Sequence, residues 1–254
     1  MRISLIQMSV DYDKSKNILH ASDLIKKASG SDVIMLPEMF CCPYSSESFI
    51  RNAEDCEGGV ARMLERAARD TGAYIIGGSM PEIENGRIYN TCLVYDPSGK
   101  PIARHRKAHM FDVNIKGGQC FRESDTLTPG ADATTFDTPF GRFGLCICFD
   151  IRFSAFIHSM RGIDFLAVPA AFNMTTGPLH WELLFRARAV DEQVFTFGCA
   201  PARYEHGSYV SYANSIAVSP WGRVIARAGY DEEILSLNVN VNEVGEVRQQ
   251  IPIS

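Results

Sequence analysis

Four segments of this sequence hold residue types suited to acyl chemistry. The first is Gly144-Leu145-Cys146-Ile147-Cys148-Phe149-Asp150-Ile151-Arg152-Phe153, where an apolar run stops near Cys148 and charged residues precede a helical stretch. A thiol at a strand-to-helix turn stands exposed at a sheet edge. The next backbone N–H points into the same space, and a helix N-terminus lowers the thiol's pKa. Cys146 shares a strand face with Cys148 by period-two alternation, so periodicity does not separate the two. Position does: Cys148 lies at the turn and Cys146 inside the apolar run. Taken singly, such a cysteine is more often a small buried core residue.

The second segment, Val33-Ile34-Met35-Leu36-Pro37-Glu38, puts a carboxylate just beyond the C-terminal end of a buried strand, where α/β sheets bind ligands. Partly apolar surroundings raise a glutamate's pKa toward that of a general base; the competing reading is a solvated loop residue. The third, His105-Arg106-Lys107-Ala108-His109-Met110-Phe111-Asp112, closes a strand with basic groups. A lysine there stabilises an oxyanion or simply protects a solvated strand edge. The fourth, Phe121 to Gly130, is a polar loop with a turn ending and says little alone.

The elements that must position these residues alternate between strand and helix. Met1 to Met8 reads as a strand. Lys14 to Ala28 carries Ile18, Ala21, Ile25 and Ala28 at helical spacing, with Gly30 as a stop. Asp32 to Leu36 is a short apolar strand. Val60 to Thr71 is an amphipathic helix ended by Gly72, and Ala73 to Met80 reads as one strand. Hairpins are expected around Pro97-Ser98-Gly99-Lys100 and around 137–141, the second joining Thr134–Phe136 to a strand from Arg142 to Cys148. Helices follow at Ser154 to Arg161 and Leu179 to Glu192, with strands near Asp164 to Pro169, Val194 to Cys199, Asn214 to Ser219, Val224 to Ala228 and Glu233 to Val239. This mixture predicts an α/β protein in packed layers. With no linker or repeat in view, residues 1–254 read as one domain.

Bulk properties exclude several classes. With 46% hydrophobic and 22% charged residues the chain is of ordinary globular composition. A net charge of −5 and no basic stripe argue against nucleic acid. No apolar run reaches the roughly 18 residues of a membrane span, and the N-terminus lacks the features of a signal peptide. Eight cysteines without that signal point to a reducing compartment, hence the cytoplasm. Their spacing does not match paired zinc knuckles. His105 and His109 stand at i, i+4, but a metal pair of that spacing needs a helix and this segment reads as strand and loop.

Jointly, the four segments resemble the nitrilase, or carbon–nitrogen hydrolase, superfamily. The resemblance covers nearly the whole chain and is most specific at Leu36-Pro37-Glu38, Arg106-Lys107-x-His109, Glu123-Ser124 before Leu127-Thr128-Pro129-Gly130, and Cys148-Phe149-Asp150-x-Arg152-Phe153. Four motifs in order reverse the bland readings of each alone. Ala171-Phe172-Asn173-Met174-Thr175-Thr176-Gly177-Pro178-Leu179-His180-Trp181-Glu182 and Arg186-Ala187-Arg188-Ala189-Val190-Asp191 resemble the omega-amidase branch. The branch acting on deaminated glutathione shares the catalytic four but usually differs at Asn173 to Pro178.

The resemblance implies a four-layer αββα sandwich, normally a homodimer, that hydrolyses the terminal amide of α-ketoglutaramate and α-ketosuccinamate without metal or organic cofactor. It implies Cys148 as nucleophile, Glu38 as base, and Lys107 with the Phe149 backbone N–H as oxyanion donors, Glu123 orienting Lys107 or the water. Planar recognition of the substrate carboxylate suits arginine. Arg152 is the candidate, with Thr176 adding a hydroxyl and Phe172 a wall; an ion pair between Arg152 and Asp150 is the structural alternative. Another superfamily amidase, acting on deaminated glutathione or an N-carbamoyl compound, is the competing enzyme reading. The chain departs from the branch in two places. It stops at Ser254, where members usually continue into a basic tail that lies against the partner subunit, which bears on dimer strength. And Cys146 stands where the branch often has glycine, read here as packing rather than as a resolving thiol.

Overall fold

Backbone hydrogen bonding in the computed structural model, which describes residues 1–116, 120–204 and 209–253, follows most of these patterns. The first half runs β1 (Arg2–Gln7), α1 (Lys14–Lys27), β2 (Val33–Met35), α2 (Ser46–Asn52), α3 (Gly59–Thr71), β3 (Tyr74–Ile76), β4 (Met80–Glu84), β5 (Arg87–Tyr95), β6 (Pro101–Arg106), β7 (Asp112–Asn114) and β8 (Cys120–Arg122). The second half runs β9 (Thr134–Thr138), β10 (Gly141–Leu145), α4 (Ser154–His158), β11 (Phe165–Pro169), α5 (Gly177–Glu192), β12 (Phe195–Cys199), β13 (Ile216–Val218), β14 (Val224–Arg227), β15 (Glu233–Asn238) and α6 (Asn242–Gln250). Single 3₁₀ turns lie at Glu123–Asp125 and Cys148–Arg152.

Local chemistry explains the helix limits. The Asp13 carboxylate caps α1 by accepting from the backbone N–H groups of Ser15 and Lys16, and Lys26 and Lys27 complement the dipole in the last turn. Gly72 ends α3 in the left-handed conformation, as its sequence position predicts.

Ala73 to Met80 is not one strand. The chain breaks between β3 and β4, where Gly78 adopts φ 59° and a Cβ would collide with the Pro37 carbonyl. In the break Ser79 N–H donates to Pro37 O at 3.1 Å, and Ser79 Oγ accepts from Met39 N at 3.0 Å. The interruption thus clamps the backbone on both sides of Glu38. The helix expected over Ser154 to Arg161 is the shorter α4. Sequence periodicity missed α2, too short for a hydrophobic repeat to register. It also missed α6, which buries only Val244 and Val247, and the three-residue strands β7 and β8.

Two large sheets form. One has the order β15-β1-β2-β3-β5-β4, with β6 paired to β5, and the other β14-β13-β12-β11-β10-β9. Both contain a parallel run, β1-β2-β3 in the first and β10-β11-β12 in the second. Ile3, Leu5, Val33 and Met35 of the first sheet share one buried cluster with Phe143, Leu145, Phe165 and Phe197 of the second, so the sheets pack face to face. The opposite face of the first sheet, through Ile6, Ile34 and Ile75, meets Leu24 and Ile25 of α1 and Leu64 and Ala68 of α3. Trp181 and Phe185 of α5 cover the second sheet. The result is the four-layer αββα sandwich. Among the described residues no helix is long and apolar enough to cross a membrane.

Candidate active site

Strand ends from both sheets converge on Cys148. β10 stops at Leu145, three residues before the expected limit, and Cys148 opens the 3₁₀ turn at φ 49°. Cys148 and Cys146 therefore do not share a strand face. Cys146 lies in the extended link, its N–H bonded to Ala167 O at 3.2 Å and its side chain fully buried. A positive φ at a non-glycine residue is strained and persists where the surroundings enforce it. The turn's first return bond runs from Asp150 N to Ile147 O at 3.1 Å, which leaves Phe149 N–H outside the turn's own bonding, as at any helix start.

Asp150 enforces the turn. Its fully buried carboxylate accepts from Ile147 N at 3.0 Å, from His109 N and His109 Nδ1 each at 2.8 Å, and from Ala108 N at 3.2 Å, with His105 Nε2 at 3.2 Å. Burial alone would raise its pKa, but the hydrogen bonds from His105 and His109 hold it down to about 2. One carboxylate so ties the residue before Cys148 to the residues after Lys107. The i, i+4 histidines of the sequence converge on Asp150, and no group of three metal-binding side chains occurs among the described residues.

Lys107 follows β6, its N–H held by Asn90 O at 2.9 Å and its carbonyl by Gly130 N at 2.8 Å. Its fully buried ammonium lies 3.0 Å from Glu38 Oε1 and 2.8 Å from Glu123 Oε2. Burial would lower the lysine pKa, but Glu123 and Glu38 outweigh it and lift it above the ordinary value, so the ammonium stays charged. Glu38 also accepts from Asn90 Nδ2 at 2.8 Å and, through Oε2, from Ala171 N at 2.8 Å. Burial raises the Glu38 carboxyl above the usual range, with Lys107 opposing and Glu123 adding to the rise. Glu123 is fixed by Phe111 N at 2.6 Å. The Tyr44 hydroxyl lies 2.9 Å from Glu123 Oε1 and 3.2 Å from Glu38 Oε1, accepts from Lys107 Nζ at 3.1 Å, and has one proton for the two carboxylates.

Burial and the negative Glu38 lift the Cys148 thiol well above the ordinary cysteine value, Lys107 and the Ala171 N–H notwithstanding. This corrects the expectation of a thiol acidified by a helix N-terminus: one 3₁₀ turn does not offset full desolvation. The negative Glu38 carboxylate neighbours the thiol and is a basic group able to receive its proton.

Cys148, Phe149, Arg152, Phe172, Thr176 and Tyr209 line one cavity. All four residues expected to contact substrate are therefore brought to the thiol. The guanidinium of Arg152 lies 5.4 Å from the Phe149 ring centroid and 5.3 Å from that of Phe172. It makes no ion pair with Asp150, whose acceptors are taken up by His105, His109 and backbone N–H groups; its buried Nε finds no acceptor among the described residues. Thr176 Oγ1 donates to Asn173 Oδ1 at 3.2 Å, so its lone pairs remain for a ligand. A second cavity meets this one at Ala171 and Tyr209 and reaches Glu38 and Tyr44 from the other side. Tyr209 stacks on Tyr44 with centroids 4.6 Å apart and donates its hydroxyl to Ala171 O.

Sequence reasoning missed Tyr44, Asn90, Tyr209 and Asp150's role. Only Asp150 carried a signal, as a charge two residues past the thiol at the end of an apolar run.

Comparison with known proteins gives the family. The carbon–nitrogen hydrolase family model matches residues 2–249. The chain is 46% identical over 256 residues to omega-amidase NIT2-B of Xenopus laevis, covering 99% of this chain and 93% of that protein. It is 44% identical to omega-amidase NIT2 of Homo sapiens with the same coverage. Among solved structures, Saccharomyces cerevisiae Nit3, a member of branch 10 of the nitrilase superfamily, superposes with a TM-score of 0.92 at 35% identity, covering 100% of this chain and 95% of that one. The four-layer sandwich, the thiol–carboxylate–ammonium cluster and a family match along nearly its whole length place one conclusion on this chain: it belongs to the carbon–nitrogen hydrolase family.

Proposed function

We propose that this hydrolase is an omega-amidase, cleaving the terminal amide of 2-oxo dicarboxylic acid mono-amides such as α-ketoglutaramate and α-ketosuccinamate. The observation that carries the reading is Arg152, a guanidinium without a carboxylate partner among the described residues, in the cavity that holds the Cys148 thiol. A substrate with a carboxylate at one end and an amide at the other spans these two groups. The identity to omega-amidases along 99% of the chain supports it.

In this reading the Cys148 sulfur attacks the amide carbon while its proton passes to Glu38. Because the resting thiol is neutral, proton transfer and attack belong to one step. Lys107 Nζ and Phe149 N–H hold the tetrahedral oxyanion. Glu38 then protonates the amide nitrogen, the C–N bond breaks and ammonia leaves. Glu38 next takes a proton from water as the water attacks the thioester; the C–S bond breaks, and the proton returns to sulfur. Glu123 and Tyr44 hold Lys107 in place. No step draws on a metal or cofactor.

We further read residues 1–254 as one cytoplasmic domain that forms a homodimer. Leu179, Leu183 and Val190 of α5 and nearby Trp221 are exposed large apolar groups, the kind of surface a second copy covers; sedimentation equilibrium tests this.

Arg152→Gln tests the specificity. A charge-assisted hydrogen bond contributes about 1.5–3 kcal/mol, so KM for α-ketoglutaramate should rise about ten- to a hundredfold. A neutral amide lacking the carboxylate should lose far less. Equal losses on both would place the carboxylate site elsewhere, and faster turnover of deaminated glutathione or N-carbamoyl amino acids by the unaltered enzyme would favour the neighbouring branches.

A further inference from the structure

We infer that His180 is a positioning residue for specificity: a neutral anchor that orients the Arg152 guanidinium toward the substrate carboxylate without spending its charge. The inference rests on the omega-amidase reading of Arg152.

His180 stands in the first turn of α5, its backbone N–H bonded to Thr176 O at 2.9 Å. Its ring Nδ1 is 3.1 Å from Arg152 Nη2. Arginine has donors only, so Nδ1 is the acceptor, and the ring holding Arg152 is neutral with its proton on Nε2. Burial and the neighbouring guanidinium both lower the His180 pKa, which favours that state.

The choice of partner matters chemically. An arginine side chain is long, and left unheld it loses rotamer freedom when it docks an anion. An aspartate or glutamate in place of His180 would fix it equally well, but would neutralise the guanidinium and compete with the incoming carboxylate. A neutral imidazole supplies an acceptor and leaves the full positive charge in the cavity. Phe149 and Phe172 bound the guanidinium with ring faces that likewise carry no net charge. Nε is buried and has no acceptor among the described residues.

The test measures KM and kcat for α-ketoglutaramate and for a neutral amide of similar length with four variants. His180→Ala removes the acceptor and should raise KM for α-ketoglutaramate about three- to tenfold, the order set by one hydrogen bond, with kcat and the neutral amide nearly unchanged. His180→Asn, whose Oδ1 lies as many bonds from Cα as Nδ1 does, should stay close to wild type. His180→Glu should exceed His180→Ala in KM, since it holds Arg152 but cancels its charge. Unchanged KM in His180→Ala, parallel loss on both substrates, or failure of asparagine to rescue would each overturn the inference. Arg152→Gln is run alongside. If it discriminates between the substrates while His180→Ala does not, the anchor role alone fails. If Arg152→Gln does not discriminate, the carboxylate reading fails and takes this inference with it.

Discussion

Lys107 owes its ionised state to a balance between burial and its two carboxylate neighbours. Desolvating an ammonium costs several kcal/mol. Two carboxylates at 3.0 and 2.8 Å offset that cost and keep the charge in place, where the proposed mechanism has it meet the oxyanion. Removing such a donor typically costs about 3–4 kcal/mol. Lys107→Met retains the stem without the charge, and it should lower kcat by at least about a hundredfold; a loss under tenfold in steady-state ammonia release would reduce the lysine to a structural role. At this scale the sequence was partly legible. Glu38 and Cys148 stood out because a charge or a thiol ends an apolar run, whereas Lys107 at a basic strand end and Glu123 in a polar loop were picked out only by the family pattern, which bound the four together. Tyr44 and Asn90 did not, because a tyrosine in a loop and an asparagine in a strand carry no mark of the buried ammonium they meet. The thiol's pKa was misjudged because local sequence displays the turn but not the depth of burial.

Between elements, register is the quantity that matters, and Asp150 sets it. The loop after β6 and the turn after β10 belong to different sheets, yet bond to the same carboxylate. Its folded pKa of about 2 lies below the unfolded value of about 3.9. The carboxylate therefore contributes stability above pH 4, and that contribution is lost as pH falls toward 2, a swing of about 2–3 kcal/mol. Asp150→Asn keeps the shape but turns an acceptor into a donor facing N–H groups. Its Tm at pH 7 should fall by roughly 5–10 °C, and the gap to wild type should narrow as pH drops from about 4 toward 2. Identical melting curves at pH 7 would contradict this. The sequence displayed most elements, since α1, α3 and α5 have clear stops and the strands are apolar. It hid the break at Gly77–Ser79, where an apolar stretch continues through a loop whose shape depends on the Pro37 carbonyl beside Gly78.

Across the whole molecule, the sandwich brings together groups far apart in the chain. Glu38 follows β2 and Lys107 follows β6 of one sheet; Cys148 follows β10 and Ala171 follows β11 of the other. Ligand sites form beyond the C-terminal ends of parallel strands, and here the parallel run of each sheet supplies part of one site, Glu38 after β2 and Cys148 after β10, while Lys107 comes from the antiparallel β6. The alternation of strands and helices made the layered α/β class readable, whereas the pairing of strands, being long-range, was legible only through the family resemblance.

Ammonia release from α-ketoglutaramate through the Cys148 thiol is tested by that rate in the wild-type and Cys148→Ala proteins, with Cys146→Ala as control. Turnover is expected from wild type and from Cys146→Ala, and only background release from a folded Cys148→Ala. Turnover surviving in Cys148→Ala, or lost in Cys146→Ala instead, would contradict it.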